Sequence, residues 1–392
     1  MLRNLKVLFL TFLRLGLTSF GGPVAHISFF HNEFVNRKKW LSEQAYADLV
    51  ALCQFLPGPA SSQVGMAIGL NRAGTFGALA AWIGFTLPSA IVLVLFALGI
   101  SKFHLNLEAG WLHSLKIAAV AVVAQAIWEM GIKLCPDKER VTMATLACLA
   151  TLLAPSAWMQ IAVIIVGGFF GVFFLNKAPQ LPHVSMPARI SKKAASVYLL
   201  FFVFLLITLP FAAESTQNQG VKLFDSFYRA GSLVFGGGHV VLPLLQSEVV
   251  PTGWVSKQAF MAGYGAAQAI PGPLFSFAAY LGAASNIPPS GWLGAVICLI
   301  AAFLPSFLLV IGGIPFWERL REFKSMRQAM LGINAAVVGL LLSAFYHPVW
   351  TSGITNAKDF SLALAGFVCL TFWKAPSWAV VLGSAAMGAV IF

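Results

Sequence analysis

Apolar runs separated by short polar stretches recur from one end of the chain to the other. The first, 5–20, is short, carries Arg14, and is broken by Gly21-Gly22-Pro23. A less apolar segment, 24–36, follows with His26, His31 and Glu33, and closes on Arg37-Lys38-Lys39. Residues 43–56 and 59–70 are two apolar pieces joined by Pro57-Gly58-Pro59. Each is too short for a helix, rising about 1.5 Å per residue, to cross a bilayer core of about 30 Å. A helix, a break and a helix of this length predict a re-entrant hairpin or a broken helix, which is tolerated at membrane depth only where protein or a wet cavity covers it. Long segments are predicted at 74–99, 113–132, 141–154 and 158–175, then a basic, proline-containing linker at 176–196 and one further span at 197–213. The series then restarts with 222–236, 239–250, a hairpin of 258–270 and 273–285, and spans near 290–313, 327–346, 359–373 and 376–391.

The restart is a duplication that carries the unusual residues with it. Phe20-Gly21-Gly22-Pro23, Glu33, Trp40, Gln44 and Gln54-Phe55-Leu56-Pro57-Gly58-Pro59 recur as Phe235-Gly236-Gly237-Gly238, Glu248, Trp254, Gln258 and Gln268-Ala269-Ile270-Pro271-Gly272-Pro273. The offset is 215 at Gly21/Gly236 and Glu33/Glu248 and 214 at Trp40/Trp254 and Pro57/Pro271, so one single-residue gap aligns the copies. Arg14 falls on Arg229, and Leu87-Pro88-Ser89 on Leu304-Pro305-Ser306. Such self-similarity marks an internal repeat. The chain divides into an N-terminal repeat, 1–176, a linker with an orientation-reversing segment, 177–213, and a C-terminal repeat, 214–392.

Composition fixes the class. Of 392 residues, 59% are hydrophobic and 10% charged, against about 25% charged in a soluble domain, and the mean hydropathy is +0.83. The fold class is therefore an all-α polytopic membrane protein, with roughly 10–13 membrane segments. The start of the chain reads as a retained membrane segment, because Arg14 interrupts its apolar stretch and no A-x-A site follows. The net charge of +12 does not point to nucleic acid, since the basic residues sit in short loops. Cys53, Cys135, Cys148, Cys298 and Cys369 are dispersed and suggest neither a metal site nor a disulfide framework. No cofactor is expected.

The loop charges orient the repeats, because Lys and Arg collect on the cytoplasmic side. With a cytoplasmic N-terminus, 18 of the 25 basic residues fall in inside loops and four, Lys102, Lys222, Lys257 and Lys358, fall outside. Matched loops swap sign: 36–39 is basic and its partner near 251–257 nearly neutral, while 100–113 is nearly neutral and its partner 314–328 strongly basic. Two inverted-topology repeats account for both reversals. Inverted repeats with broken helices are a design of secondary transporters that bind substrate near the bilayer midplane.

The repeated residues suit an anion. Half-helices starting at Pro59 and Pro273, and further starts at Gly21-Gly22-Pro23 and Gly236-Gly237-Gly238, direct unpaired N–H groups and positive dipole ends inward. Arg14 and Arg229 would add guanidinium forks. Gln54 and Gln268 either line the site or satisfy the broken backbone. Glu33 and Glu248 are solvated segment ends, partners of the arginines, or proton carriers. Asp48 lies in an apolar hairpin opposite Ala262 and is a candidate for coupling. His26 and His239 read as local hydrogen-bonding groups. No G-x-x-x-x-G-K-[ST] stretch is present, so ATP bound by this chain is not the energy source.

Assembled, these residues resemble the chromate ion transporter family, in its long form of two fused halves. The resemblance rests on the two Phe-Gly-Gly blocks, the two Pro-Gly-Pro turns and the acid between them, and it covers essentially the whole chain. It implies secondary active transport of chromate across the bacterial inner membrane, usually outward and conferring resistance, with sulfate as a competing or exchanged analogue. Gly21, Gly22, Pro23, Pro57, Gly58, Pro59, Gly236, Gly237, Pro271, Gly272 and Pro273 carry the motifs, and Gly238 departs from them by replacing the first block's proline. The partners expected are chromate or sulfate, the lipid bilayer and a second copy in a homodimer, with no nucleic acid. The alternatives are a sulfate or other oxyanion importer or exchanger, a channel and, from another class, a membrane redox enzyme. No flavin or dinucleotide fingerprint and no C-x-x-C supports the last.

Overall fold

A computed structural model describes residues 2–103, 109–175 and 190–391. The linker residues expected at 176–189, with Lys177 and Arg189, lie outside the described residues. Among those described there are helices and no strands.

The N-terminal series is α1 (Leu2–Thr18), α2 (Gly22–His31, continued by a wider turn over Asn32–Arg37), α3 (Glu43–Phe55), α4 (Ala60–Lys102), α5 (Gly110–Leu134), α6 (Lys138–Leu153) and α7 (Ala157–Phe174). A separate helix, α8 (Lys192–Thr216), follows. The series resumes with α9 (Gln219–Ser232), α10 (Val241–Val249), α11 (Lys257–Ala269), α12 (Phe277–Ala283), α13 (Gly291–Gly313), α14 (Trp317–Leu320), α15 (Lys324–Ala344), α16 (Thr351–Gly353), α17 (Ala357–Thr371) and α18 (Ser377–Ile391). The segments expected from the apolar pattern all appear, with ends shifted by a few residues. α4 is two helices merged across Ala73 (φ −142°) and Gly74 (φ +67°). A left-handed residue cannot continue a helix and favours glycine. The half-helix after the first turn therefore stops here, and the long span begins.

Repeated caps make the repeated helices. Ser42 accepts a hydrogen bond from the Ala45 N–H at 3.2 Å, and Ser256 accepts one from the Ala259 N–H at 3.2 Å. Each satisfies an otherwise unpaired donor at the start of a hairpin helix.

Six helices among the described residues are long and apolar enough to cross a membrane, and the shorter hairpin pieces pack between them. This is a multi-pass membrane protein. α8 stands at the rim: only 6% of its most apolar stretch is buried, and Leu200, Phe204, Ile207 and Phe211 face outward. The core lies where the two series meet. α1 crosses α4, and α9 crosses α13. α5 packs against α17 and α18, whereas its counterpart α15 packs against α6 and α7. Each series thus holds a central helix of the other, and neither could keep its buried surface alone.

Candidate site at two crossed turns

The hairpin α3–α4 turns at Pro57-Gly58-Pro59, and the hairpin α11–α12 at Pro271-Gly272-Pro273. Gly58 has φ +125° and Gly272 φ +100°, conformations open to glycine and strained for other residues. Each turn is fastened to the other repeat. The Gly58 N–H donates to the Val234 carbonyl at 2.7 Å, and the Gly272 N–H donates to the Ser19 carbonyl at 3.0 Å. Ser19 and Val234 are counterparts, and each stands two residues before its own glycine break. The same crossed bond is therefore made twice, and it brings both turns and both breaks to one junction.

The breaks also touch. A Cβ on Gly238 would stand 3.0 Å from the Pro23 Cγ. Pro23 and Gly238 are counterparts, so the one departure between the two blocks sits where the blocks meet. A second proline ring there would press on the first, and glycine removes the conflict. Gly21 (φ +96°) caps α2 with Pro23 in its first turn, and Gly236 (φ +75°) and Gly237 (φ +152°) precede a short 3-10 turn into α10. Pro59 and Pro273 each stand one residue before the helical turn they introduce, rather than inside it. Four helix starts thus gather at the junction, with N–H groups and dipole ends that favour negative charge. Close to Gly22 no atom of the described residues lies within 4 Å of where a Cβ would be.

Hydroxyls and amides surround these starts. Ser89 and Ser276 are hydrogen-bonded at 2.6 Å, over the second turn. Their counterparts over the first turn, Ser306 and Ser62, are buried and their hydroxyls have no partner among the described residues. Gln63 donates to the Pro57 carbonyl at 2.6 Å, closing the first turn, while its own Oε1 has no partner among the described residues. The Gln268 Nε2 is likewise buried and unpartnered, whereas Gln54 is exposed. His26 bridges the Ser19 carbonyl at 3.2 Å and Ser61 at 3.3 Å, and His239 meets the Tyr264 hydroxyl at 2.9 Å. Both histidines serve as local hydrogen-bonding groups.

The charged candidates lie in three other clusters. Arg14 pairs with Glu33, which also receives Arg37 at 3.3 Å and Lys38 at 3.7 Å. Arg229 pairs with Glu248 and Asp225, both at 3.0 Å. No hydrogen bond or ion pair among the described residues joins either arginine to the turns. Asp48, 1% exposed, accepts from Arg321 at 2.7 Å and from the Trp317 Nε1–H at 3.0 Å, tying α3 to α14 and the residue after it. Sequence reasoning missed Arg321 and Trp317 as partners of Asp48, and it missed Asp225. Ser89 and Ser306 were signalled by the repeated Leu-Pro-Ser. Ser62 and Ser276, also matched at an offset of 214, could have been found the same way.

Comparison with known proteins finds the same doubling in the sequence. The profile described as "Chromate transporter" matches residues 6–172 and again 221–389. The chain belongs to the chromate transporter family. A chromate transport protein of Pseudomonas aeruginosa is 28% identical over 387 residues, covering 94% of this chain and 87% of that one. An uncharacterized transporter of Methanocaldococcus jannaschii is 30% identical over 347 residues, covering 86% and 82%. An uncharacterized transporter of Bacillus subtilis, 29% identical over 160 residues, is covered over 85% of its length by 39% of this chain. One repeat therefore corresponds to nearly a whole relative. No solved structure matches. Membership makes the chain a transporter, in keeping with its apolar helices and its crossed, broken segments.

Proposed function

We propose that this protein moves chromate across the bacterial inner membrane by alternating access, outward and so conferring chromate resistance, coupled to protons or to exchange for sulfate. The observation that carries this reading is the pair of crossed turns. Chromate and sulfate are tetrahedral dianions. The junction offers backbone N–H groups at four helix starts, glycines that permit close approach, and the hydroxyls of Ser62 and Ser306. The substrate contacts proposed are Gly21, Gly22 and Pro23 with Pro57, Gly58 and Pro59, and Gly236, Gly237 and Gly238 with Pro271, Gly272 and Pro273, supported by Gln54 and Gln268. Arg14 and Arg229 belong to the proposal as guanidinium groups for which an oxyanion competes with Glu33 and Glu248. Those two acids and Asp48 are the proposed coupling residues. The repeats are taken as inverted, with a cytoplasmic N-terminus, and rock against each other about the junction. A sulfate or other oxyanion exchanger is the second reading, since the same donors fit either dianion.

Chromate and sulfate flux into proteoliposomes tests both. Saturable chromate flux is expected, stimulated by sulfate on the far side or by a pH gradient, and lost in Ser62→Ala/Ser306→Ala and in Arg14→Ala or Arg229→Ala with folding intact. Flux of sulfate alone selects the second reading. Flux of neither anion rejects the oxyanion assignment.

A further inference from the structure

The two arginine clusters are counterparts in sequence and opposites in charge. In the first, three cations, Arg14, Arg37 and Lys38, surround one carboxylate, Glu33. In the second, one guanidinium serves two carboxylates: the Arg229 Nε donates to the Asp225 Oδ2 at 3.0 Å, and its Nη2 donates to the Glu248 Oε2 at 3.0 Å. The inversion comes from two changes. Asp225 stands where the first repeat has Leu10, and Pro251-Thr252-Gly253 follows Glu248 where Arg37-Lys38-Lys39 follows Glu33.

Asp225 is 5% exposed, and its Oδ1 is buried without a hydrogen-bond partner among the described residues. It nevertheless lines a cleft of 310 Å³ with Arg229, Trp158, Glu214, Gln217 and Lys222. Trp158, Glu214 and Gln217 are exposed at its mouth. Glu214 from α8 and Lys222 from α9 are the other charged groups on the cleft. α7 and α13, which pack on α10 and α9, carry no acidic or basic residue. α15, which packs on α10, bears its charges, Lys324 and Arg327, only in its first turn. Lys222 donates to the Gln217 Oε1 at 2.5 Å, and among the described residues Arg229 is the cation paired with the two carboxylates.

We infer that Asp225, Arg229 and Glu248 form a proton-binding site, in which the two carboxylates share one proton exchanged with solution through this cleft. Two ionised carboxylates beside one guanidinium leave a net negative charge in a buried place, which is costly. One proton on the free Asp225 Oδ1 removes that charge without breaking either bond to Arg229. The two acids titrate as a coupled pair, because both face the same guanidinium. Its ligand class is a single proton, and its place in the transport reading is the coupling step. The inference rests on the proposed function only for its effect on flux.

The test uses the full chain reconstituted in lipid, followed by infrared spectroscopy of its carboxyl carbonyls at a series of pH values. Wild type is expected to show a protonated-carboxyl band near neutral pH. Asp225→Asn and Glu248→Gln are each expected to remove it entirely, because the acid that remains is then matched by Arg229. Arg229→Gln, which takes away the shared cation, is expected to strengthen it. In proteoliposomes, Asp225→Asn is expected to retain chromate exchange and lose its response to a pH gradient. A wild type without the band, or a band at full strength in both single variants, overturns the site. An undiminished pH response in both variants overturns its place in the coupling step. A wild type with the band but no oxyanion flux leaves the site standing and rejects the transport reading.

Discussion

At the scale of single residues, two glycines and one buried ion pair carry sharp expectations. Gly58 and Gly272 combine a positive φ with a close neighbour. A Cβ on Gly272 would meet the Ser89 hydroxyl at 2.9 Å, and one on Gly58 would meet the Gln63 Nε2 at 2.6 Å and lie closer still to the Ser306 hydroxyl. Gly58→Ala and Gly272→Ala should therefore each abolish oxyanion flux, with the larger loss of folded protein for Gly58→Ala. Adding Ser306→Ala to Gly58→Ala should recover little, because the backbone strain persists. Asp48 and Arg321, 1% and 3% exposed, form an ion pair between α3 of one repeat and the loop before α15 of the other. Removing one partner leaves a buried charge, and Asp48→Ala or Arg321→Ala should each cost about 3–5 kcal/mol in unfolding free energy. The paired replacement Asp48→Leu/Arg321→Met should cost far less than the sum, since no charge is then left behind. Unfolding of the four proteins in detergent measures the difference, and equal, additive losses would argue against the pair. Asp48 was legible as unusual because an acid in an apolar hairpin is expensive. Its partner was not, because Arg321 sits in a loop already rich in basic residues.

At the scale of helices, the apolar pattern placed every segment because burial in lipid or protein demands long apolar runs, and that demand is local. The breaks were also local, since proline and glycine mark their own positions. Which helix crosses which was not. Gly16 in α1 and Gly231 in α9 are counterparts, and both press on the same point of the helix they cross: a Cβ on Gly16 would lie 2.6 Å from the Phe85 carbonyl in α4, and one on Gly231 would meet the carbonyl of Ala302, the counterpart of Phe85, in α13. These are backbone-to-backbone approaches that a side chain would prop open, the usual role of small residues between membrane helices. Gly16→Leu and Gly231→Leu should both fail to give a monodisperse, folded protein in mild detergent, whereas Gly99→Leu, where nothing lies within 4 Å of a Cβ, should behave as wild type. Comparable size-exclusion profiles and thermal unfolding for all three variants would refute this account of the crossings.

At the scale of the molecule, the exchange of α5 and α15 between the two series makes the protein one body rather than two fused ones. It also gives the inverted arrangement a direct test. If the repeats are opposed, cysteines placed at Lys39 and Lys324 should react with an impermeant reagent from the cytoplasmic face, and cysteines at Lys257 and Lys358 from the opposite face. The experiment needs a background in which the five native cysteines, buried or half-buried, are replaced. Labelling of Lys39 and Lys257 positions from the same face would reject the inversion.

The class, the segments, the duplication and the positions of the breaks can be read along the chain, because hydrophobic length, proline, glycine and self-similarity are written in the order of residues. The turns of the candidate site can be read the same way. Folding in three dimensions is what pairs Gly58 with Val234 and Gly272 with Ser19, sets Pro23 against Gly238, and places the arginines on carboxylates apart from the turns. The longest of those pairings, Gly272 to Ser19, joins residues nearly two-thirds of the chain apart, and no spacing along one repeat encodes the other repeat's position. They follow from packing two similar units so that each fills the space the other leaves, which single-chain periodicity does not register.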